Sequence, residues 1–168
     1  MINTILFDLD GTLLGMKEKE FMERYFYELS VKFKDISDSS MLVSNIWNAT
    51  KYMVLNSEKS KLNKDSFFER FNSLIADEHK DIYNERFEEF YSNEFERVKS
   101  ATYPVENMIK AVEVLKEKGY KLVIATNPLF PEIAISKRIG WAGLNKDDFI
   151  HITNFERCHF CKPNTLFY

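Results

Sequence analysis

The sequence predicts an α/β fold in which a parallel-sheet core is interrupted by an all-helical insert. A short apolar run at residues 4–9 ends at the turn signal Asp10-Gly11-Thr12, as a buried parallel strand does. Residues 16–99 then carry apolar side chains at helical spacing and contain no glycine. After residue 103, two further apolar runs alternate with helical patterns, as in a sheet with crossover helices.

Four helices are predicted within the insert from the spacing of its aromatic and aliphatic residues. Their apolar faces cover residues 21–33, 41–55, 67–75 and 83–98. Clusters of Asn, Asp and Ser supply the turns between them in place of glycine. The insert is therefore expected to be a helical bundle.

The second half of the chain predicts a return to α/β structure. One helix is expected to start with Pro104 in its first turn and to end at Gly119. A second buried strand follows at residues 121–126. Another helix is predicted over residues 131–139 with Gly140 as its end, and a third strand over 149–153.

Composition and charge limit the kinds of molecule that the protein is expected to bind. The 168 residues carry a net charge of −3 with a pI near 5.7, and no segment forms a basic stripe, which argues against nucleic acid. No apolar stretch reaches the length of a membrane span, and acidic residues interrupt the N-terminal apolar run before a signal core could form. We therefore predict a cytoplasmic protein with neither nucleic-acid nor membrane partners.

The strongest chemical signal is Asp8-Leu9-Asp10-Gly11-Thr12, at the carboxyl end of the first predicted strand. Ligands of α/β sheets bind outside the carboxyl ends of the strands, so the position suits an active site. Two carboxylates at this point can divide the work of nucleophile and acid/base. Gly11 permits a turn that a side chain would obstruct.

This pentapeptide resembles the first motif of the haloacid dehalogenase superfamily. Thr126 after the second strand resembles the second motif, and Lys162-Pro163 resembles a form of the third. The resemblance implies a Rossmann-like core with the insert as a type-1 cap. Residues 1–15 and 100–168 would form the core, and residues 16–99 would form the cap.

The resemblance also implies roles for individual residues. Asp8 would be the nucleophile that forms an aspartyl-phosphate, and Asp10 would protonate the leaving oxygen and later deprotonate water. Mg²⁺ would be the cofactor, held by the carboxylate of Asp8 and the backbone carbonyl of Asp10. The residues expected to bind the substrate phosphate are Asp8, Gly11, Thr126, Asn127 and Lys162, with Thr126 and Lys162 also counted as catalytic.

An acid at position 10 selects the reaction class. The superfamily's dehalogenases carry another residue there, because a halide needs no proton to leave. The sequence thus predicts hydrolysis of a small phosphorylated metabolite rather than dehalogenation, and nothing in the predicted cap names that metabolite.

The resemblance fails at the fourth motif of the superfamily, an acidic pair after a fourth strand. Only six residues follow Lys162. The core is therefore expected to be incomplete at its C-terminus, with the first strand as an open sheet edge. We expect either a truncated, inactive form of a longer enzyme or a homodimer that covers this edge.

Two other functions compete with the phosphatase hypothesis. The missing acid favours a non-catalytic remnant that binds phosphate or a partner in the same crevice. A receiver-type phospho-acceptor domain also uses Asp, Thr and Lys on a parallel sheet, but the motif spacing and the helical insert fit it poorly. Cys158 and Cys161 are spaced like a zinc or redox pair, yet without a second pair we interpret them as non-functional.

Overall fold

A three-stranded parallel sheet forms the core of the computed structural model, which describes residues 2–168. The strands β1 (Thr4–Phe7), β4 (Lys121–Ile124) and β5 (His151–Ile152) lie in the order β1-β4-β5. The register pairs Thr4 with Lys121 and Phe7 with Ile124, so the carboxyl ends of β1 and β4 are level. The fold class is therefore the predicted Rossmann-like α/β core with inserted helices.

A second, two-stranded sheet joins the core to the helices. The strands β2 (Leu14–Met16) and β3 (Thr102–Pro104) pair antiparallel, with Gly15 opposite Tyr103. A Cβ on Gly15 would lie 2.3 Å from the Tyr103 ring, so glycine at this position lets that ring pack over β2. The chain leaves the core along β2 and returns along β3.

Four α-helices lie between these strands, and the first three lie close to the positions that the sequence predicts. They are α1 (Glu18–Phe33), α2 (Ser39–Val54), α3 (Asn63–Asn72) and α4 (Lys80–Ser92). Asp38 begins α2 by accepting hydrogen bonds from the backbone N–H groups of Ser40 and Met41, the expected role of an N-cap aspartate. The surfaces that these helices turn toward one another are filled mainly by aromatic rings. The buried rings include Phe33, Phe67, Phe71, Phe87 and Phe90.

The fourth predicted helix was too long. The pattern over residues 83–98 predicted one helix, but α4 ends at Ser92 and a 3₁₀ segment, Glu94–Ala101, follows. This change of direction places Phe95 5.1 Å from Trp141 and 6.2 Å from Tyr25, measured between ring centroids. Packing against the core thus overrides the helical periodicity of the aromatic residues.

Two predicted helix ends were also wrong. Pro104 is the last residue of β3, and α5 (Glu106–Glu117) begins after it. An edge strand tolerates proline because it needs no N–H there. The helix α6 (Glu132–Trp141) continues through Gly140, and the glycine with left-handed backbone beyond it is Gly143, at φ +78°.

The strands are shorter than the apolar runs that predicted them. The run 4–9 gives a strand only to Phe7, because the Leu9 carbonyl accepts hydrogen bonds from the N–H groups of Thr12 and Leu14. The runs 121–126 and 149–153 likewise give strands of four and two residues. In each case the chain turns away at the carboxyl end, where polar side chains follow.

Gly119 and Gly140 allow a matched test of backbone conformation. Gly119 follows α5 at φ +77°, whereas Gly140 lies within α6, and a Cβ at either position would meet nothing within 4 Å. We expect Gly119→Ala to destabilise the fold by about 1 kcal/mol. We expect Gly140→Ala to stabilise it by up to about 1 kcal/mol. Urea unfolding of both variants measures the two effects, and a shift of the same sign in both would contradict this account.

No helix within residues 2–168 is both long enough and apolar enough to cross a membrane.

Candidate active site

Asp8 and Lys162 meet at the carboxyl end of β1. Asp8 is the first residue after the strand, and Lys162 lies on the loop that follows β5. The Lys162 Nζ donates to Asp8 Oδ1 over 2.9 Å, although the residues are 154 positions apart in the sequence. Both side chains keep contact with solvent, with 42% of Asp8 and 27% of Lys162 exposed. The fold therefore brings together a carboxylate and an ammonium in an accessible crevice.

Thr126 and Asn127 lie beside this pair, at the carboxyl end of the neighbouring strand β4. Thr126 is buried, and its carbonyl accepts a hydrogen bond of 2.6 Å from the Thr153 hydroxyl. The Asn127 Oδ1 accepts from the backbone N–H of Lys162 over 3.1 Å. Asn127 thus fixes the main chain that carries the lysine.

The turn after Asp8 is built on Gly11. Gly11 has φ +78°, a conformation that favours glycine, and its N–H donates to the Leu14 carbonyl over 2.8 Å. The N–H is therefore already used within the turn. Gly11 shapes the turn and leaves open space beside it, since a Cβ there would meet nothing within 4 Å.

Asp10 contacts a residue that the sequence analysis did not identify, Arg138 on α6. The Arg138 Nη1 donates to Asp10 Oδ2 over 2.5 Å. Arg138 is only 1% exposed, and its guanidinium lies 4.4 Å from the centroid of the Phe130 ring. The other carboxylate oxygen, Asp10 Oδ1, is buried and has no hydrogen-bond partner among residues 2–168.

The loop that carries Lys162 is held by the insert. At the start of α3, the backbone N–H of Asn63 donates to the Cys158 carbonyl, and that of Lys64 donates to the Phe155 carbonyl, each over 2.8 Å. The Asn63 amide also reaches the Pro128 carbonyl and the Cys161 sulfur, at 3.4 Å each. The loops after β4 and β5 are therefore both tied to the first turn of α3.

The donor set of the site fits magnesium better than zinc. Within the described part of the chain, no group of three or more His, Cys, Asp or Glu side chains is placed to hold a metal ion. Magnesium is commonly bound by one or two carboxylates together with water and substrate phosphate. The half-exposed Asp8 carboxylate can supply one such ligand, with the main chain of Asp10 two residues further on.

A family model described as haloacid dehalogenase-like hydrolase matches residues 2–168. The chain belongs to this family. The comparison with curated proteins found no match.

One solved structure shows the fold of this haloacid dehalogenase-like hydrolase. A crystal structure from Haemophilus somnus, named as a predicted phosphoglycolate phosphatase, aligns with a TM-score of 0.52 at 17% identity. The alignment covers 96% of this chain and 66% of that one. A Clostridium difficile protein with a provisional phosphatase name aligns at a TM-score of 0.43 and 17% identity, covering 94% of this chain and 64% of that one. This chain therefore spans about two thirds of the length of both.

One sequence signal could have identified Arg138 in this family member. Arg138 is the one cation on the buried face of α6, which is otherwise apolar. The residues of this face are Ala134, Ile135, Arg138, Ile139 and Trp141. A cation on an otherwise apolar helix face is almost always paired when buried. The sequence could not indicate that Asp10 is its partner.

The two cysteines of the hydrolase form no metal or disulfide site within the structure as described. Both thiols are free, and Cys161 is 1% exposed. Burial raises the pKa of Cys161 to about 12 and also raises that of Cys158, which is partly exposed.

We therefore predict low and unequal thiol reactivity in the native state. Since the thiolate is the reactive form, Cys161 should remain unmodified by iodoacetamide at pH 8, whereas Cys158 should react slowly. Peptide mass spectrometry after a timed exposure measures both positions, and the unfolded chain in urea gives the fully reactive reference. Equal rates at the two cysteines in the folded protein would contradict the burial of Cys161.

Proposed function

We propose that this chain catalyses the hydrolysis of small phosphate monoesters through an aspartyl-phosphate on Asp8. The observation that carries the proposal is the contact of 2.9 Å between the Lys162 ammonium and the Asp8 carboxylate. It lies at the end of the sheet where ligands of α/β folds bind. The family is one of hydrolases, and the half-exposed carboxylate gives the nucleophile access to substrate.

Asp8 would attack the phosphorus atom in line with the ester oxygen, so that a P–O bond to Asp8 forms as the ester bond breaks. Lys162 would offset the negative charge that gathers on the transferring group, for which a compact ammonium is well suited. The Thr126 hydroxyl would donate to a phosphoryl oxygen. Asn127 would keep Lys162 in place through its hydrogen bond to the lysine main chain.

Asp10 would move the protons in both half-reactions. Its Oδ2 accepts a hydrogen bond from Arg138, so we assign proton transfer to Oδ1, which has no protein partner. This oxygen would give a proton to the departing alkoxide and later take one from the attacking water. Hydrolysis of the acyl phosphate would then regenerate the Asp8 carboxylate and release inorganic phosphate.

Magnesium would be held by the Asp8 carboxylate and by Asp10 through its backbone carbonyl. When bound, it would neutralise charge between the anionic nucleophile and the anionic phosphate.

The test is magnesium-dependent release of p-nitrophenol from p-nitrophenyl phosphate, followed by absorbance. Release that requires the metal, and that disappears with EDTA, supports the proposal. Equal release with and without the metal would contradict the assigned chemistry.

A second candidate is a non-catalytic protein that binds phosphate in the same crevice. It is favoured by the small number of acids, because residues 2–168 place no third carboxylate beside Asp8 and Asp10. Binding of inorganic phosphate by calorimetry, without any turnover of the ester, would support this candidate.

The helices between β2 and β3 would act as a cap, with residues 16–99 as its extent and residues 1–15 and 100–168 as the core. A closed cap would limit access to a small phosphorylated metabolite in the cytoplasm and exclude bulk water.

The outer edge of β1 supports a proposed homodimer. Within the described chain β1 pairs only with β4. Leu6 on this strand is 53% exposed, and Ile2, which precedes the strand, is 79% exposed. An unpaired strand edge with apolar side chains favours association. Light scattering after size-exclusion chromatography measures the mass, and Leu6→Lys should shift a dimer toward monomer. A wild-type monomer at all concentrations would refute this proposal.

A further inference from the structure

A cavity with a volume of about 750 Å³ lies among the insert helices and the loops after β4 and β5. Nine of its lining residues are aromatic. Asp8, Asp10, Thr126 and Lys162 are not among them. Phe130 forms part of the wall, and its ring packs against the guanidinium of Arg138, which in turn binds Asp10. One ring and one guanidinium therefore connect the cavity wall to Asp10.

The volume and the lining are those of a small-molecule site. Ligand cavities commonly measure about 300–1,000 Å³ and are lined by apolar and aromatic groups with a few polar ones. Tyr25 and Tyr91 both line this cavity, and their hydroxyls hydrogen-bond to each other over 2.7 Å. Burial raises the pKa of Tyr25 to about 12, so these phenols stay neutral. In this contact one hydroxyl donates and the other accepts, and both residues contribute aromatic surface to the lining.

The charged residues of the lining favour a cation. Glu18, Asp65 and Glu88 are exposed at the cavity and form no ion pair with any cation of residues 2–168. A fourth acid, Glu156, lies deeper, and burial raises its pKa. Lys64 is the one cation of the lining. Three unpaired carboxylates thus outnumber the lysine even when Glu156 is left out.

We infer that this cavity binds a small organic cation with an apolar body of about the size of a substituted benzene. Aromatic faces attract such a cation, and the carboxylates complement its charge. An anion of the same size would meet the three carboxylates and be disfavoured. The inference concerns a second ligand site, and it does not depend on the proposed hydrolase activity.

Tryptophan fluorescence offers a direct readout of the site. The chain has two tryptophans, and Trp47 lines the cavity with 52% of its surface exposed. The other, Trp141, is 4% exposed and stacks on Phe95. A ligand in the cavity should change the emission of Trp47, and a Trp47→Phe variant should remove that change.

The experiment titrates the full chain with benzyltrimethylammonium, benzyl alcohol and benzenesulfonate. We expect the cation to bind at least about fivefold more tightly than the neutral alcohol, with the sulfonate weakest. Equal or tighter binding of the alcohol or the sulfonate would overturn the inference. So would a lack of binding by all three probes.

Charge variants then separate the inferred site from general apolar binding. Glu18→Gln and Glu88→Gln should each weaken the cation about two- to threefold, the size expected for exposed charges. Lys64→Gln should strengthen it by about twofold. Glu85→Gln removes the same charge from an exposed position of α4 that does not line the cavity, and should change nothing. A change of the same direction and size in the affinity for the cation in all four variants would overturn the assignment of the carboxylates.

Discussion

Replacing Asp8 with asparagine should lower the rate of p-nitrophenyl phosphate hydrolysis by on the order of a thousandfold or more. Asparagine has nearly the same shape, but its amide is a poor nucleophile and cannot form the acyl phosphate. Because 42% of the Asp8 side chain is exposed, the substitution should leave the fold intact. Circular dichroism and steady-state kinetics together separate the loss of chemistry from a loss of structure.

Asp147→Asn is the matched control for this prediction. Asp147 is exposed in a 3₁₀ segment, Lys146–Asp148, and forms no salt bridge with another residue of the described chain. The variant removes the same charge and should keep the full rate. Substantial turnover by the Asp8 variant would instead mean that another group attacks phosphorus.

The second large effect concerns stability and arises from the ion pair of Asp10 and Arg138. We expect Asp10→Asn to lower the free energy of unfolding by about 3 kcal/mol, because it leaves a buried guanidinium without a counter-ion. Arg138→Met should cost less, since 32% of the Asp10 side chain is exposed and water can solvate the remaining carboxylate. Urea denaturation measures both.

The double variant Asp10→Asn/Arg138→Met decides whether the two residues act as a pair. It should be more stable than Asp10→Asn alone, because the unpaired charge is gone. Arg157→Met serves as the surface control, as Arg157 and Glu132 are 64% and 47% exposed and their pair should contribute less than about 1 kcal/mol. Additive effects at Asp10 and Arg138 would refute the coupling.

The features that the sequence predicted well depend on local patterns. The apolar run before Asp8 predicted β1. The order of the motifs predicted that Lys162 belongs with Asp8, and in the structure Lys162 Nζ lies 2.9 Å from Asp8 Oδ1. Residue roles within this site remain predictions. Neighbouring parallel strands end at one edge of a sheet, so the placement of Asp8 and Thr126 followed from strand order alone.

The features that escaped prediction depend on long-range packing. The strands β2 and β3 have three residues each, too few for a periodic pattern, and β3 ends in a proline that suggested a helix start. Arg138 becomes meaningful only through Asp10, which is 128 positions away. The end of α4 is decided by where Phe95 packs, and a single-helix periodicity carries no information on that contact.

The pairing of β2 with β3 has a consequence for how such a protein can change over time. Met16 and Thr102 are register partners, so everything between them begins and ends at neighbouring points in space. For the core, the long segment between β2 and β3 is topologically equivalent to the loop of a hairpin. The entropic cost of closing such a loop grows only slowly with its length. Insertions, deletions or wholesale replacement of the segment can therefore accumulate without shifting the register of β1 against β4. Asp8 and Lys162 can stay in place while the helices between β2 and β3 are exchanged as a unit.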